Sequence, residues 1–256
     1  MGLKTYKKLL PINVLEHTKH IIKETYEEFD GKCYVAVSGG KDSIALLHLC
    51  HEVTQKRVKA FCCIDEFIPP DVYKALITLQ KDDRFDLLFL IYPNHEMMLF
   101  RNGIIQSTVS WDKNRKFYLQ PKPENHLEIP KGKFHWEVCE NHWGFRGCIS
   151  YMVGVRATES IQRDINIYRA GKIKTKDDID GYKYRYKIKP MYHWKTDDIF
   201  KYLSEQKGAD ELTEFYFKKM YLGQNTMRMG SLLGDFIKDI DFYRTCLLYT
   251  SDAADE

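Results

Sequence analysis

The chain has 256 residues, with 39 Lys and Arg against 36 Asp and Glu, a formal net charge of +3 and 44% apolar residues. That length and apolar content suit one α/β core with additions, and the near balance of charge gives no global argument for a polyanionic partner. No uncharged run approaches the roughly eighteen residues needed to cross a bilayer, and Met1 to Lys8 lacks a secretory apolar region, so a soluble cytoplasmic protein without membrane attachment is expected. Seven cysteines form no framework spacing, and Cys62 and Cys63 are adjacent within a strand-like run, which fits reduced thiols on opposite faces.

Asn13 with Glu16 reads as a capping box for a first helix that reaches about Phe29 and closes at Asp30-Gly31. A buried strand, Cys33 to Val37, then runs directly into Ser38-Gly39-Gly40-Lys41-Asp42-Ser43, and a helix follows from Asp42 to about Gln55. Two glycines let backbone approach a phosphate, the helix start turns amides and its positive dipole end to the same point, and Ser38, Lys41 and Ser43 add donors. The plainer reading is a strand-to-helix turn with Asp42 capping the helix. Neither a Walker A loop nor a Gly-x-Gly-x-x-Gly fingerprint is present. Val58 to Ile64 reads as a second strand, with Asp65 just after it as a cap or a ligand contact. A helix from Pro69-Pro70-Asp71 to about Asp82 and a third strand, Leu87 to Tyr92, follow. Strands alternating with helices imply a parallel sheet with right-handed crossovers. From Gly103 to Gly144 periodicity fails and Pro121, Pro123 and Pro130 interrupt the chain, so this stretch reads as an insertion or flap facing substrate.

Within that insertion His135, Cys139, His142 and Cys148 have ligand-type side chains, but the spacing is not a zinc knuckle and Cys148 opens an apolar strand. That strand, Cys148 to Val153, leads into Gly154-Val155-Arg156-Ala157-Thr158-Glu159-Ser160-Ile161-Gln162-Arg163. On a helix, Arg156, Ser160 and Arg163 would share one face and present two guanidinium forks to an anion; the alternative is an exposed Glu159–Arg163 ion pair. Lys172 to Lys176 alternates cations with Ile173 and Thr175, and Tyr182 to Lys189 alternates aromatics with cations after Asp180-Gly181, a hairpin that packs its tyrosines on the core or offers a basic strip to nucleic acid. In Pro190 to Leu203, Thr196 is placed to cap a helix whose apolar stripe is Ile199, Tyr202 and Leu203.

Three of these stretches resemble the phosphoadenosine phosphosulfate reductase family of the adenine nucleotide alpha-hydrolase superfamily: the pyrophosphate loop Ser38 to Ser43, the Gly-x-Arg-x-x-Glu-Ser-x-x-Arg element Gly154 to Arg163, and the Pro-x-x-x-Trp segment at Pro190. The resemblance implies a Rossmann-like, doubly wound, mostly parallel sheet of order 3-2-1-4, with an insertion and a C-terminal helical extension. Both motifs then meet at the switch point. It implies binding of ATP or phosphoadenosine phosphosulfate by Ser38, Gly39, Gly40, Lys41, Asp42, Ser43, Asp65, Gly154, Arg156, Glu159, Ser160 and Arg163, with Lys41 and Arg156 closest to the chemistry and Mg²⁺ accompanying ATP. Asp65 matches a position that holds the nucleotide sugar or a metal, and Cys139 resembles a substrate-loop cysteine. Reductases of the family carry a C-terminal Glu-Cys-Gly-Leu/Ile-His element and some hold an iron–sulfur cluster on paired cysteines; this chain has neither pattern, and Met227 to Asp235 contains no cysteine. Adenylyl or sulfur-related transfer is therefore the expected activity. The alternative is a nucleotide-binding co-activator, as among phage-type relatives that work with a ParB-like protein. The expected units are an N-terminal helix (1–30), a nucleotide-binding domain (31–170, with 103–144 inserted), a hairpin and helical extension (171–245), and a tail (246–256) resembling translated adapter read-through.

Overall fold

The computed structural model describes residues 13–93, 96–101, 104–169, 174–179 and 183–206, so Asp180-Gly181 and everything after residue 206, including Met227 to Asp235, lie outside the described residues. In chain order the elements are α1 (Val14–Glu28), β1 (Cys33–Ala36), α2 (Lys41–Thr54), β2 (Val58–Cys63), α3 (Pro70–Gln80), β3 (Phe85–Ile91), β4 (Glu96–Arg101), β5 (Ile104–Val109), β6 (His126–Glu128), α4 (His135–His142), β7 (Ile149–Val153), α5 (Ile161–Asp164), β8 (Lys174–Ile179), β9 (Lys183–Ile188) and α6 (Thr196–Leu203). A 3₁₀ turn, Ala157–Glu159, precedes α5, and a π turn, Ile165–Arg169, follows it.

Seven strands form one sheet of order β6-β3-β2-β1-β7-β9-β8, parallel throughout except where β8 pairs antiparallel with β9. The order reverses at β1, which pairs Val35 with Ala60 on one side and with Met152 on the other. Strands this deep are apolar on both faces, and their side chains divide with a period of two. Cys33 and Val35 of β1, Ala60 and Cys62 of β2, and Phe85, Leu87 and Phe89 of β3 enter a core covered by α1, α2, α3 and α6. Tyr34, Phe61 and Leu90 point the other way, toward Cys139 of α4 and Phe145. Burying a side chain such as Phe85 or Phe89 contributes about 1.5–3 kcal/mol, so this alternation fixes register as well as stability. The architecture is an α/β, doubly wound, mostly parallel sheet.

Local capping follows the sequence closely at several ends. Asn13 accepts the Glu16 amide at 3.3 Å, and the chain leaves α1 through Asp30 and Gly31 at positive φ. Residue 103 onward is more regular than its lost periodicity predicts: β4 and β5 form a separate antiparallel pair, β6 extends the main sheet beyond β3, and α4 lies on its second face. Segments of three and eight residues are too short to carry a period, which is why they escape a pattern-based reading. Among the described residues no helix is long and apolar enough to cross a membrane.

The basic alternation of β9 also meets a different environment from the one expected. Parallel pairing with β7 places β9 inside the sheet, and α4 lies over Arg185 on its cation face. Arg185 is buried, its Nε donating to Glu140 Oε1 at 2.6 Å while the guanidinium lies 4.9 Å from the Trp136 ring. Lys187 stands over Tyr151, and Lys174 of β8 pairs with Glu28 above the Phe29 and Tyr186 rings. Arg185 is thereby withdrawn from a basic strip, while Lys174 and Lys176 of β8 are exposed: alternation identifies two faces but not which of them a neighbouring helix covers.

Candidate functional site

At the C-terminal end of β1 the chain turns through Ser38, Gly39 and Gly40 into α2. Gly39 has φ +80°, a conformation open to glycine at no steric cost. Gly40 is the N-cap residue and supplies no side chain, so the first-turn amides of α2 receive no side-chain cap and the positive end of the helix dipole faces the loop. Ser43 is used internally: its hydroxyl donates to the Gly40 carbonyl at 2.9 Å and accepts the Ser38 amide at 3.1 Å. The Ser38 hydroxyl, 3.2 Å from that of Ser43, belongs to an exposed residue. The loop is held in shape by its own hydroxyls before any ligand arrives.

Lys41 does not project over the loop. It is 2% exposed and its Nζ lies 2.9 Å from Asp42 Oδ2. Asp42, in turn, does not cap the helix; its Oδ1 stands 2.5 Å from Arg156 Nε. Arg156, 3% exposed, also faces Glu159 at 3.6 Å, and Glu159 pairs with Arg163. Three cations and two carboxylates thus alternate from the loop across to the second motif.

The two motifs meet backbone to backbone. A Cβ built on Gly154 would stand 2.7 Å from the Asp42 carbonyl carbon and oxygen and 2.8 Å from the Ser43 amide nitrogen. Any side chain would push the end of β7 off the start of α2. Gly154 therefore serves packing of strand against helix, and it sets Arg156 beside Asp42.

After Gly154 the chain does not form one continuous helix, which corrects the shared face expected for Arg156, Ser160 and Arg163. Arg156 is extended, with φ −111° and ψ 143°, and Ser160 is extended again, with φ −164° and ψ 152°. Ser160 instead caps α5, accepting the Arg163 amide at 3.2 Å. Glu159 with Arg163 does pair, but as part of the chain of charges and not as an isolated surface bridge. The third motif joins the same node: Arg156 Nη1 donates to the hydroxyls of Thr158 and Thr196 at 3.3 Å each, and the Ala157 amide donates to the Tyr192 carbonyl at 3.0 Å. Thr196 is thus a ligand of Arg156 and not the cap of α6; Lys195 takes that position, its amide bonded to Asp198.

Asp65 stands one strand over, its carboxylate accepting the Phe67 amide at 2.7 Å. With Cys63, Ile64, Ile91, Tyr92 and Ser110 it lines a cavity of about 260 Å³ at the ends of β2 and β3. Tyr92 bonds His135 Nδ1 at 3.0 Å, and the His135 ring stacks on Phe61, which fixes the start of α4 beside this cavity. Burial lowers the His135 pKa and raises that of Cys139. His135 and His142 occupy opposite ends of α4, and among the described residues no group of three or more His, Cys, Asp or Glu could hold a metal.

Two buried groups near the strand ends were missed from sequence. Glu66, fully buried, accepts the Trp111 amide at 2.6 Å and pairs with Arg115, while its own amide donates to Ser110 at 3.0 Å. Its signal was an acidic residue inside an apolar run next to Asp65. Glu140 had none, because a carboxylate in a short helix looks solvent-facing.

Comparison with known proteins gives the following. Residues 32–221 match the model of the phosphoadenosine phosphosulfate reductase domain. The uncharacterized protein YbdN of Escherichia coli (strain K12) is 25% identical over 233 residues, an alignment that covers 80% of this chain and 55% of that protein. The chain therefore spans about half the length of the curated relative it matches. Among solved structures, phosphoadenylyl-sulfate reductase from Candida auris in a phosphate complex is 12% identical with a TM-score of 0.46, covering 90% of this chain and 98% of that one. Yeast FAD synthetase in complex with FAD is also 12% identical with a TM-score of 0.46, covering 78% of this chain and 61% of that one.

Proposed function

The chain belongs to the phosphoadenosine phosphosulfate reductase domain family, and from that premise we propose that it binds an adenine nucleotide, ATP or an adenosine phosphosulfate, with the phosphates over Ser38 to Ser43. The observation that carries this reading is the backbone contact at Gly154, which brings Arg156 and its partners to the uncapped start of α2. Backbone amides and the helix dipole would hold the phosphates, with the Ser38 hydroxyl beside them. Lys41 and Arg156, fixed through Asp42, would supply positive potential from beneath. Asp65 and the cavity at the ends of β2 and β3 are placed to take the nucleoside. Where the nucleotide is ATP, Mg²⁺ would ride on its phosphates. The reaction class is adenylyl or sulfur-related transfer: for ATP, an acceptor oxygen bonds the α-phosphorus as the bond to pyrophosphate breaks. Catalysis of that kind is positioning and charge stabilisation.

Calorimetry with ATP and with adenosine phosphosulfates tests the reading. Replacing Ser38 by Ala should weaken binding about tenfold to a hundredfold, the equivalent of about 1.5–3 kcal/mol for a charge-assisted hydrogen bond. Arg156→Lys should weaken it as well, because an ammonium cannot reach Asp42 and the two threonine hydroxyls together. No binding by the unmodified protein, or unchanged affinity in both variants, would refute it. The inward turn of Lys41 onto Asp42 favours a second reading, a nucleotide-binding co-activator without turnover. Tight binding with no pyrophosphate release across candidate acceptors would select that alternative.

A further inference from the structure

The loop after β5 and the segment before α4 carry large apolar rings in solvent. Phe117 is 74% exposed, Phe134 is 52% exposed, and Tyr118 is exposed as well. Two of these rings, Phe134 and Tyr118, are held in defined settings. Phe134 stacks on Trp136 with centroids 4.3 Å apart and planes 9° from parallel, and the Arg185 guanidinium lies over Trp136 in turn. Arg115 is tied to the buried Glu66 and stands 5.3 Å from the Tyr118 ring. Each stack is backed by a buried ion pair and leaves one ring outward.

Lysines are interleaved with these rings in sequence, as Lys113-Asn114-Arg115-Lys116-Phe117-Tyr118 and Lys131-Gly132-Lys133-Phe134. Lys122 and Lys133 are engaged by Glu128 and Glu137, whereas Lys113, Lys116 and Lys131 are exposed and make no close ion pair among the described residues. The two segments are neighbours: Ser110, just before the first, and Tyr92, which bonds His135 just after the second, line the same cavity at the ends of β2 and β3. Both stand at the C-terminal ends of the strands, since Ser110 bonds the Glu66 amide after β2 and His135 bonds Tyr92 after β3.

We propose that this face binds single-stranded nucleic acid. Outward rings and unengaged lysines supply the two parts such a surface needs: platforms for unpaired bases and cations for the backbone between them. A duplex hides its base faces and would meet the lysines alone. The assignment is independent of nucleotide binding at the Ser38 loop.

Fluorescence anisotropy with labelled oligo-dT and oligo-U of about 15 nucleotides tests it, alongside a duplex of the same length and vesicles containing phosphatidylglycerol. Phe117→Ala and Phe134→Ala should each weaken single-strand binding about five- to a hundredfold, given about 1–3 kcal/mol per stacked base. With three backbone contacts the unmodified protein should lose about twentyfold in affinity between 50 and 200 mM salt, and the K113Q/K116Q/K131Q variant should lose much of that dependence. Thermal unfolding checks that the variants fold, and Phe134→Leu keeps an apolar group at the helix start while removing the ring. Undetectable single-strand binding at low salt, binding indifferent to both ring truncations, or equal binding of duplex and vesicles would each overturn the proposal.

Discussion

Gly154→Ala isolates the junction on which the site depends. The residue is not among the glycines at positive φ, so alanine can adopt its backbone conformation and the whole cost is steric. The added methyl would lie 2.7 Å from two atoms of the Asp42 peptide and 2.8 Å from the next amide nitrogen, against about 3.5 Å or more for an ordinary contact. The obstacle is backbone at the first turn of a buried helix, so β7 and α2 must separate by about 0.7 Å or more. Overpacking of this kind costs about 1–3 kcal/mol. The displacement also draws Arg156 from Asp42, so nucleotide affinity should fall together with stability. Gly31→Ala is the control: its φ of +69° penalises a side chain by about 1–2 kcal/mol, but nothing lies within 4 Å of the new methyl. Urea denaturation should show both variants destabilised, whereas calorimetry should show lost nucleotide affinity only for Gly154→Ala. Unchanged stability in that variant would refute the contact, and equal loss of affinity in both would refute its link to the site.

Two further expectations concern buried charge. His48 sits against Phe85 with neither ring nitrogen bonded among the described residues, and burial, aided by Arg84, lowers its pKa to about 4. The unfolded chain binds this proton near pH 6.5, so the neutral ring's contribution is complete above that pH and is lost as pH falls toward 4, up to about 3 kcal/mol. His48→Leu should flatten the stability profile across that window relative to the unmodified protein; identical slopes would show that the ring titrates normally. Glu140→Ala should cost about 3–5 kcal/mol by leaving Arg185 buried and uncompensated, and the Glu140→Leu, Arg185→Met double variant should recover most of it. A double variant as unstable as the single one would assign the loss to packing.

Much of the central sheet was legible because its strands announce themselves twice, by apolar runs and by the turn residues between them. Cys33 to Val37 followed by two glycines admits few other structures, and the neighbouring register then follows from crossover handedness. The second motif was legible in composition but not in shape. Arg156, Ser160 and Arg163 have helical spacing, yet contact with Asp42 and Thr196 holds Arg156 extended and Ser160 restarts the helix; a local pattern cannot report a partner 40 residues away. Arg185 failed for a related reason, since its strand alternates perfectly but α4, from a distant part of the chain, covers that face. The Glu66 network depends on Ser110 and Arg115 returning to the end of β2, a long-range event with no periodic trace.

The two borders of the sheet differ from its middle in a way that bears on solubility. Unpaired strand edges are templates on which a second chain can continue the ladder. At one border stands β6, three residues long, and at the other β8, which begins with exposed Lys174 and carries exposed Lys176 two residues later. A very short border strand offers too few amides to recruit a neighbour, and the exposed charged side chains on the other must be desolvated before a further strand can pair there. Among the described residues, both borders of the broad apolar sheet thus disfavour its growth from molecule to molecule.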